Sequence, residues 1–254
     1  MEHEFQGTQT INRAAQLLTL VIESEQPRGL TELADDAALP KSTASRLLGA
    51  LEREGLIQQQ GLRGRFEPGP VLRRFANRGQ LVELAQPHLE VLSEVSGETI
   101  NLAVPGPLGV DHLAQIESRH FLGTGQWVGR RVPYHCSAVG KVLLAFGAAE
   151  LPRDAPLEPL TSRTIVDRRR LDAELATIRS DRFATATDEL ESGLTAVASP
   201  VFDEDGTAVA ALAVSGPTLR LSPRRIAELR PTVIKQARAL SEQLGHRKEG
   251  VHAA

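Results

Sequence analysis

The chain has 254 residues, 41% hydrophobic and 24% charged, with 29 Lys+Arg against 32 Asp+Glu for a formal net charge of −3. This is enough for one large domain or for a small one joined to a medium one, and two units are expected. No apolar run approaches the roughly 18 residues of a membrane span, the acidic start MEHEFQGTQTINR lacks the basic and apolar parts of a secretory signal, and the single Cys136 excludes an internal disulfide framework and a multi-cysteine metal cluster.

In chain order, Ile11, Ala14, Leu17, Leu18, Val21 and Ile22 fall at helical spacing and predict a first helix over 10–23. The run EQPRG breaks it. Thr31 is placed to cap a second short helix, TELADDAA, with Leu33, Ala34 and Ala37 inward. Pro40 suits the first position of a third helix, which runs to about Glu54, buries Ala44, Leu47, Leu48 and Leu51, and stops at Gly55. Two short extended pieces, LIQQQ and GRFEP, then read as a hairpin with Arg63 and Arg65 at its tip. Helix, helix, turn, helix and basic hairpin make a winged helix-turn-helix.

Charge is concentrated in this region. Residues 1–38 carry Arg13 and Arg28 against seven acids, whereas residues 39–78 carry eight Lys/Arg against Glu52, Glu54 and Glu67. One basic block on an otherwise acidic chain is the footprint of a duplex-binding face. Within it, the third helix opens with Lys41, Ser42, Thr43, Ser45 and Arg46 and holds its acids back to Glu52 and Glu54. A solvated face mixes signs for i to i+4 pairing; cations and hydroxyls at a helix N-terminus instead suit phosphate oxygens, and an arginine can also bond guanine bidentately.

The stretch EPGPVLRRFANRGQ, with two prolines and two glycines, reads as the connector between domains at 8–68 and 81–246. A helix over Leu81 to Val95, closed by Gly97, starts the second domain. TINLAV, LGVDHLAQIE, FATATDE, LTAVASPVF and AVAALAVSG read as strands, DEDG as a hairpin turn, 136–147 and 170–180 as helices, and the segment from Ile226 to Leu244 as a long closing helix. Grouped strands without strict βαβ alternation predict an α+β domain with a mostly antiparallel sheet.

The run LTELADDAALPKSTASRLLGALEREGLI with GRFEPGP closely resembles the winged helix of the IclR family of bacterial transcription regulators, and the resemblance continues through GRRVPYHCSAVGKVLLAF and ELESGLTAVASPVFDEDGTAVAALAVSGPTLRLS, over roughly residues 10–245. It implies a linker helix over 69–80, a GAF-like effector domain that binds a small metabolite, and a homodimer or homotetramer on palindromic double-stranded DNA, with repression favoured over activation; the compartment expected from the polar start and the lone cysteine is the cytoplasm. It carries over an effector pocket in which the backbone of Ala138 and Val139 meets the ligand, Ser215 supplies a polar contact, and Thr124, Val132 and Leu194 form the apolar side.

Ala186, Ala196 and Ala213 stand where members that bind small oxo-acids have an aspartate, a cysteine and a serine. With those polar groups replaced by methyls, a compact polar ligand would leave groups unpaired at about 1 to 3 kcal/mol each. The expected effector is therefore larger and more apolar than glyoxylate or pyruvate, an aromatic acid or a derivative of one, with Trp127 as a wall.

Catalysis is the weaker reading. His135 and Cys136 are adjacent and point apart, GxSxG and phosphate-loop motifs are absent, and the seven histidines lack metal-ligand spacing. No cofactor, metal or membrane partner is expected. The alternatives are a hydrolase-like protein, or a metabolite-binding scaffold that uses the helix-turn-helix for protein contact.

Overall fold

The computed structural model describes residues 5–60, 64–152 and 155–246. The chain divides into two compact units that part between Gln80 and Leu81.

In the first unit, α1 (Phe5–Ile22), α2 (Leu30–Asp36) and α3 (Lys41–Arg53) are followed by an antiparallel hairpin, β1 (Ile57–Gln60) and β2 (Arg65–Pro68). The apolar stripes of the three helices meet in one core of Leu17, Val21, Leu33, Ala34, Leu48, Ile57 and Phe66. The hairpin gains a third edge from Arg28, whose N–H donates to Phe66 O at 2.9 Å and whose carbonyl accepts from Phe66 N at 2.7 Å. Thr31 does not cap α2. The helix begins one residue earlier, with Gly29 at its N-cap and the Gly29 N–H donating to Glu32 Oε2 at 3.2 Å. Glu32 reaches back from the first turn and takes over the task expected of Thr31.

The expected break between a connecting helix over 69–80 and a separate helix from Leu81 is absent. One helix, α4, runs from Pro70 to Ser96 with Pro87 inside it. Pro70 occupies the first helical position, where a missing N–H costs nothing, and Gly69 lies before it. A Cβ on Gly69 would sit 2.3 Å from Gly55 O, so the chain entering α4 crosses the end of α3 at a distance only glycine allows.

The second unit holds β3 (Thr99–Pro105), β4 (Val110–Ile116), β5 (Arg131–Val132), α5 (Ala138–Ala145), α6 (Arg168–Asp181), β6 (Ala184–Thr187), β7 (Leu194–Phe202), β8 (Ala208–Pro217) and α7 (Pro223–Gln243). Its sheet has the order β5-β4-β3-β8-β7-β6, and every pairing is antiparallel. The α+β class with an antiparallel sheet is as the strand grouping predicts. The two-residue β5 is too short to leave a periodic signal.

The two faces of this sheet differ in side-chain size. Ile100, Leu102, Val104, Val197, Leu212 and Val214 pack against Leu81, Leu89 and Leu92 of α4 and Leu229, Val233 and Leu240 of α7. On the opposite face Ala103, Ala184, Ala186, Ala198, Ala211 and Ala213 meet α5 and α6. Small residues let α5 approach closely. Gly140 allows the closest contact, since a Cβ there would lie 2.2 Å from Tyr134 O.

Candidate functional site

Two groups of residues can do chemistry, one in each unit. In the first unit Lys41, Ser42, Ser45 and Arg46 are exposed on the first two turns of α3 and Thr43 is half-buried, while Ala44, Leu47 and Leu48 hold the opposite side in the core. Helical spacing alone makes this separation. Among the described residues Lys41 and Arg46 have no ion-pair partner. The late acid Glu52 is used internally, its Oε1 accepting from Gln59 N of β1 at 3.3 Å.

The hairpin arginines part company. Arg63 lies outside the described residues. Arg65 is in β2 instead of at the tip, and its guanidinium is engaged: Nε donates to Pro27 O at 2.6 Å and Nη2 to Glu32 at 3.2 Å. With Arg28 on Asp36 at 2.6 Å, these pairs neutralise Glu32 and Asp36 of α2. The bond from Gly29 N–H, with Arg65 and Arg28 nearby, holds the Glu32 carboxyl below its ordinary range. Arg65 thus ties the hairpin to α2.

In the second unit a cavity of about 40 Å³ lies between the alanine face of the sheet and the N-terminus of α5. By the usual measure it has room for a few waters. Trp127, Val132, Ala138, Val139, Leu194, Ala196, Ala213 and Ser215 all line it, eight residues drawn from separate parts of the sequence. Thr124 and Ala186 do not. The Thr124 hydroxyl accepts from Trp127 Nε1 at 3.0 Å and so fixes the indole that forms the wall. Ala186 is buried on β6 opposite Ala196.

Four further lining residues, Asn101, His112, Ser137 and Leu190, escaped the sequence reading. Asn101, His112 and Ser137 supply polarity that the three alanines lack. Ser137 caps α5, accepting from Gly140 N at 3.2 Å and donating to Pro133 O at 2.8 Å. Asn101 Nδ2 donates to Ser215 Oγ at 3.1 Å. Asn101 is 2% and His112 8% exposed, and Asn101 Oδ1 and His112 Nδ1 have no hydrogen-bond partner. Burial holds the imidazole neutral, its pKa pushed down to about 4 against a smaller opposing effect of Asp111. A signal for Asn101 did exist: in TINLAV it sits among apolar residues at an alternate position shared with Thr99, which marks a polar residue on an inward face.

Nucleophilic chemistry does not fit this site. Cys136 is fully buried, and desolvation pushes its thiol up to about 12. His135 Nε2 lies 2.9 Å from Glu158 O, a backbone partner. A larger open groove of about 320 Å³, between α6, β6 and the start of α7, has charged groups that satisfy one another: Arg230 meets Asp181 at 2.8 Å, and Glu174 accepts from buried Lys141 at 2.6 Å. Among the described residues no group of His, Cys, Asp or Glu is placed to hold a metal ion, and no helix is long and apolar enough to cross a membrane.

Comparison with known proteins agrees with this geometry. The IclR helix-turn-helix domain profile matches residues 10–61, and that of the C-terminal domain of the bacterial transcriptional regulator IclR matches residues 74–242. The chain is similar to the HTH-type transcriptional regulator BhcR of Paracoccus denitrificans, 34% identical over 96% of this chain and 90% of that protein. It is also similar to the acetate operon repressor of Salmonella typhimurium, 33% identical over 93% of this chain and 90% of that protein. Among crystal structures, an IclR homolog from Microbacterium hydrocarbonoxydans complexed with 4-hydroxybenzoate superposes with a TM-score of 0.59 at 25% identity, covering 92% of this chain and 98% of that one. These relatives are regulators of transcription, not enzymes, and the chain belongs to the IclR family of bacterial transcriptional regulators.

Proposed function

We propose that this protein is a repressor that binds a palindromic operator through α3 and is controlled by a small carboxylic acid in the cavity beside α5. The observation that carries the DNA half is the acid-free, exposed start of α3. Lys41, Ser42 and Thr43 position the helix on phosphates, and Ser45 and Arg46 reach base edges in the major groove. Arg63 contacts backbone or minor groove, and Arg65 holds the hairpin in place. Repression over activation is supported by relatives that are named repressors.

A two-fold operator requires a two-fold protein. Ile11 is 69% and Ile22 49% exposed on α1, which supports pairing of two copies through that helix, alone or within a tetramer. Leu18 is half-buried and packs into the unit's own core.

The effector reading rests on the cavity. The N-terminus of α5 favours a carboxylate, and the apolar walls with Trp127 favour a ring or an alkyl body, in keeping with the 4-hydroxybenzoate held by the Microbacterium relative. A benzoate-sized body needs more room than about 40 Å³, so binding requires the loop that carries Leu190, between β6 and β7, to give way, while the Thr124 hydroxyl keeps Trp127 as the fixed wall. A ligand that binds the opened form better shifts the population toward it.

The test is binding of the purified protein to the DNA upstream of its own gene, titrated with salt, with and without carboxylic acids. Specific binding that falls steeply with salt and is weakened by an acid is expected. A salt-insensitive complex with a protein partner and none with DNA would establish the scaffold reading instead.

A further inference from the structure

We propose that the cavity selects hydroxylated carboxylic acids, with the side chains of Asn101 and His112 reading the hydroxyl. This rests on the cavity being the effector site, and it goes beyond it by naming what the effector must carry besides its acid group.

The argument begins with what the cavity's polar groups already do. The Ser137 hydroxyl is committed at both ends, to Pro133 O and Gly140 N. Asn101 uses its amide nitrogen on Ser215 Oγ, and Ser215 Oγ lies 3.5 Å from Thr99 O. What remains is an amide oxygen, Asn101 Oδ1, and a ring nitrogen, His112 Nδ1, both buried and both without a protein partner. Each belongs to a residue that lines the cavity.

The two are placed to act on one group. His112 pairs across the strands with Ala103, two residues from Asn101 on the same strand, so the side chains are diagonal neighbours on one face of the sheet. Diagonal positions lie roughly 7–8 Å apart along the sheet, near enough for two side chains on one face to meet the same bound group.

The chemistry of that group follows from the chemistry of the pair. An amide oxygen only accepts, so a carboxylate placed against it would leave two acceptors facing each other. A hydroxyl donates to Asn101 Oδ1 and, with its own oxygen, accepts from His112 when Nδ1 carries the proton. A methyl or a halogen cannot donate, and would leave the buried amide oxygen unsatisfied. No charged side chain lines the cavity, so the carboxylate is left to the N-terminus of α5. The predicted effector carries a hydroxyl in addition to its acid group.

The experiment is calorimetric titration of the full chain with matched acids that differ only in the donor: 4-hydroxybenzoate against 4-fluorobenzoate, and lactate against propionate. In the wild type the hydroxylated member of at least one pair is expected to bind about 5- to 150-fold tighter, the range that corresponds to one unsatisfied buried group. In Asn101→Leu that ratio should fall to near one. The wild-type ratios stand without the variant should it not fold. Binding within about twofold for both members of every binding pair, or a ratio that persists in Asn101→Leu, overturns the hydroxyl reading and leaves the effector site intact. Absence of binding by all four acids overturns both.

Discussion

The start of α3 and the cavity beside α5 are both polar sites on helical N-termini, yet they are built in opposite ways. The first is one contiguous stretch, Lys41 to Arg46, facing water. The second is assembled from several strands, loops and a helix, and its polar atoms are buried. An exposed cation without a partner is solvated and costs little. A buried acceptor without one costs roughly 1 to 3 kcal/mol. A surface site therefore waits for its partner without penalty, whereas a buried site carries a deficit that a ligand of matching chemistry removes.

The comparison breaks most sharply at Lys141, which supports the cavity from behind. It is wholly buried on α5 and donates at 2.6 Å to both Glu174 and Glu189, and Leu190, next to Glu189, lines the cavity. Lys141→Met removes the cation and strands the Glu189 carboxylate, which should cost about 3–5 kcal/mol. Urea unfolding of the second unit checks this. A loss below about 1 kcal/mol would mean that the carboxylates relax into water.

A somewhat smaller effect comes from His112. Its unfolded pKa near 6.5 falls to about 4 in the folded chain. Between those values the unfolded state binds more protons, so stability should decline as pH drops from about 6.5 to about 4, by on the order of 3 kcal/mol, and then level off. In His112→Phe that part of the pH dependence should vanish, as read by urea midpoints at pH 7 and pH 5.

At the surface site the consequences are reversed. Arg46→Ala should leave stability within about 0.5 kcal/mol and weaken operator binding by about 1 to 3 kcal/mol, measured by thermal melting and fluorescence anisotropy on the same preparation. Smallest is Thr124→Val, which removes only the bond that orients the Trp127 indole. It should cost about 0.5–1.5 kcal/mol in effector affinity with operator affinity unchanged in the absence of effector.

The same contrast explains what could be read from the sequence. The helix-turn-helix was legible because its information is local: apolar spacing sets the core of α1, α2 and α3, and what is left over is the exposed basic face. Strand β7 appears at Leu194–Phe202, as expected from its apolar run. The continuity of α4 was not legible, because two prolines and two glycines near 68–79 look like breakers. Only Gly79 interrupts the helical run there, at about 1 kcal/mol, since Pro68 and Gly69 precede the helix and Pro70 starts it. At the cavity, residues carried over from the family resemblance gave the helix N-terminus and the alanines. Asn101 and His112 were missed because a strand's pattern gives the face of a residue but not which atoms across the sheet satisfy it. Their unpaired atoms emerge only when Ser215 and Ser137 are seen to be committed elsewhere.

The central claim is that the open start of α3 carries the DNA contact. The most direct measurement is the salt dependence of operator binding for the wild type and for the double variant Lys41→Gln, Arg46→Gln. With Lys41 on a phosphate, the slope of log affinity against log salt should shrink by about 0.9, and by up to about 1.8 where Arg46 in the groove also neutralises a phosphate. An unchanged slope in a folded double variant would contradict the account and move the DNA-binding face away from α3.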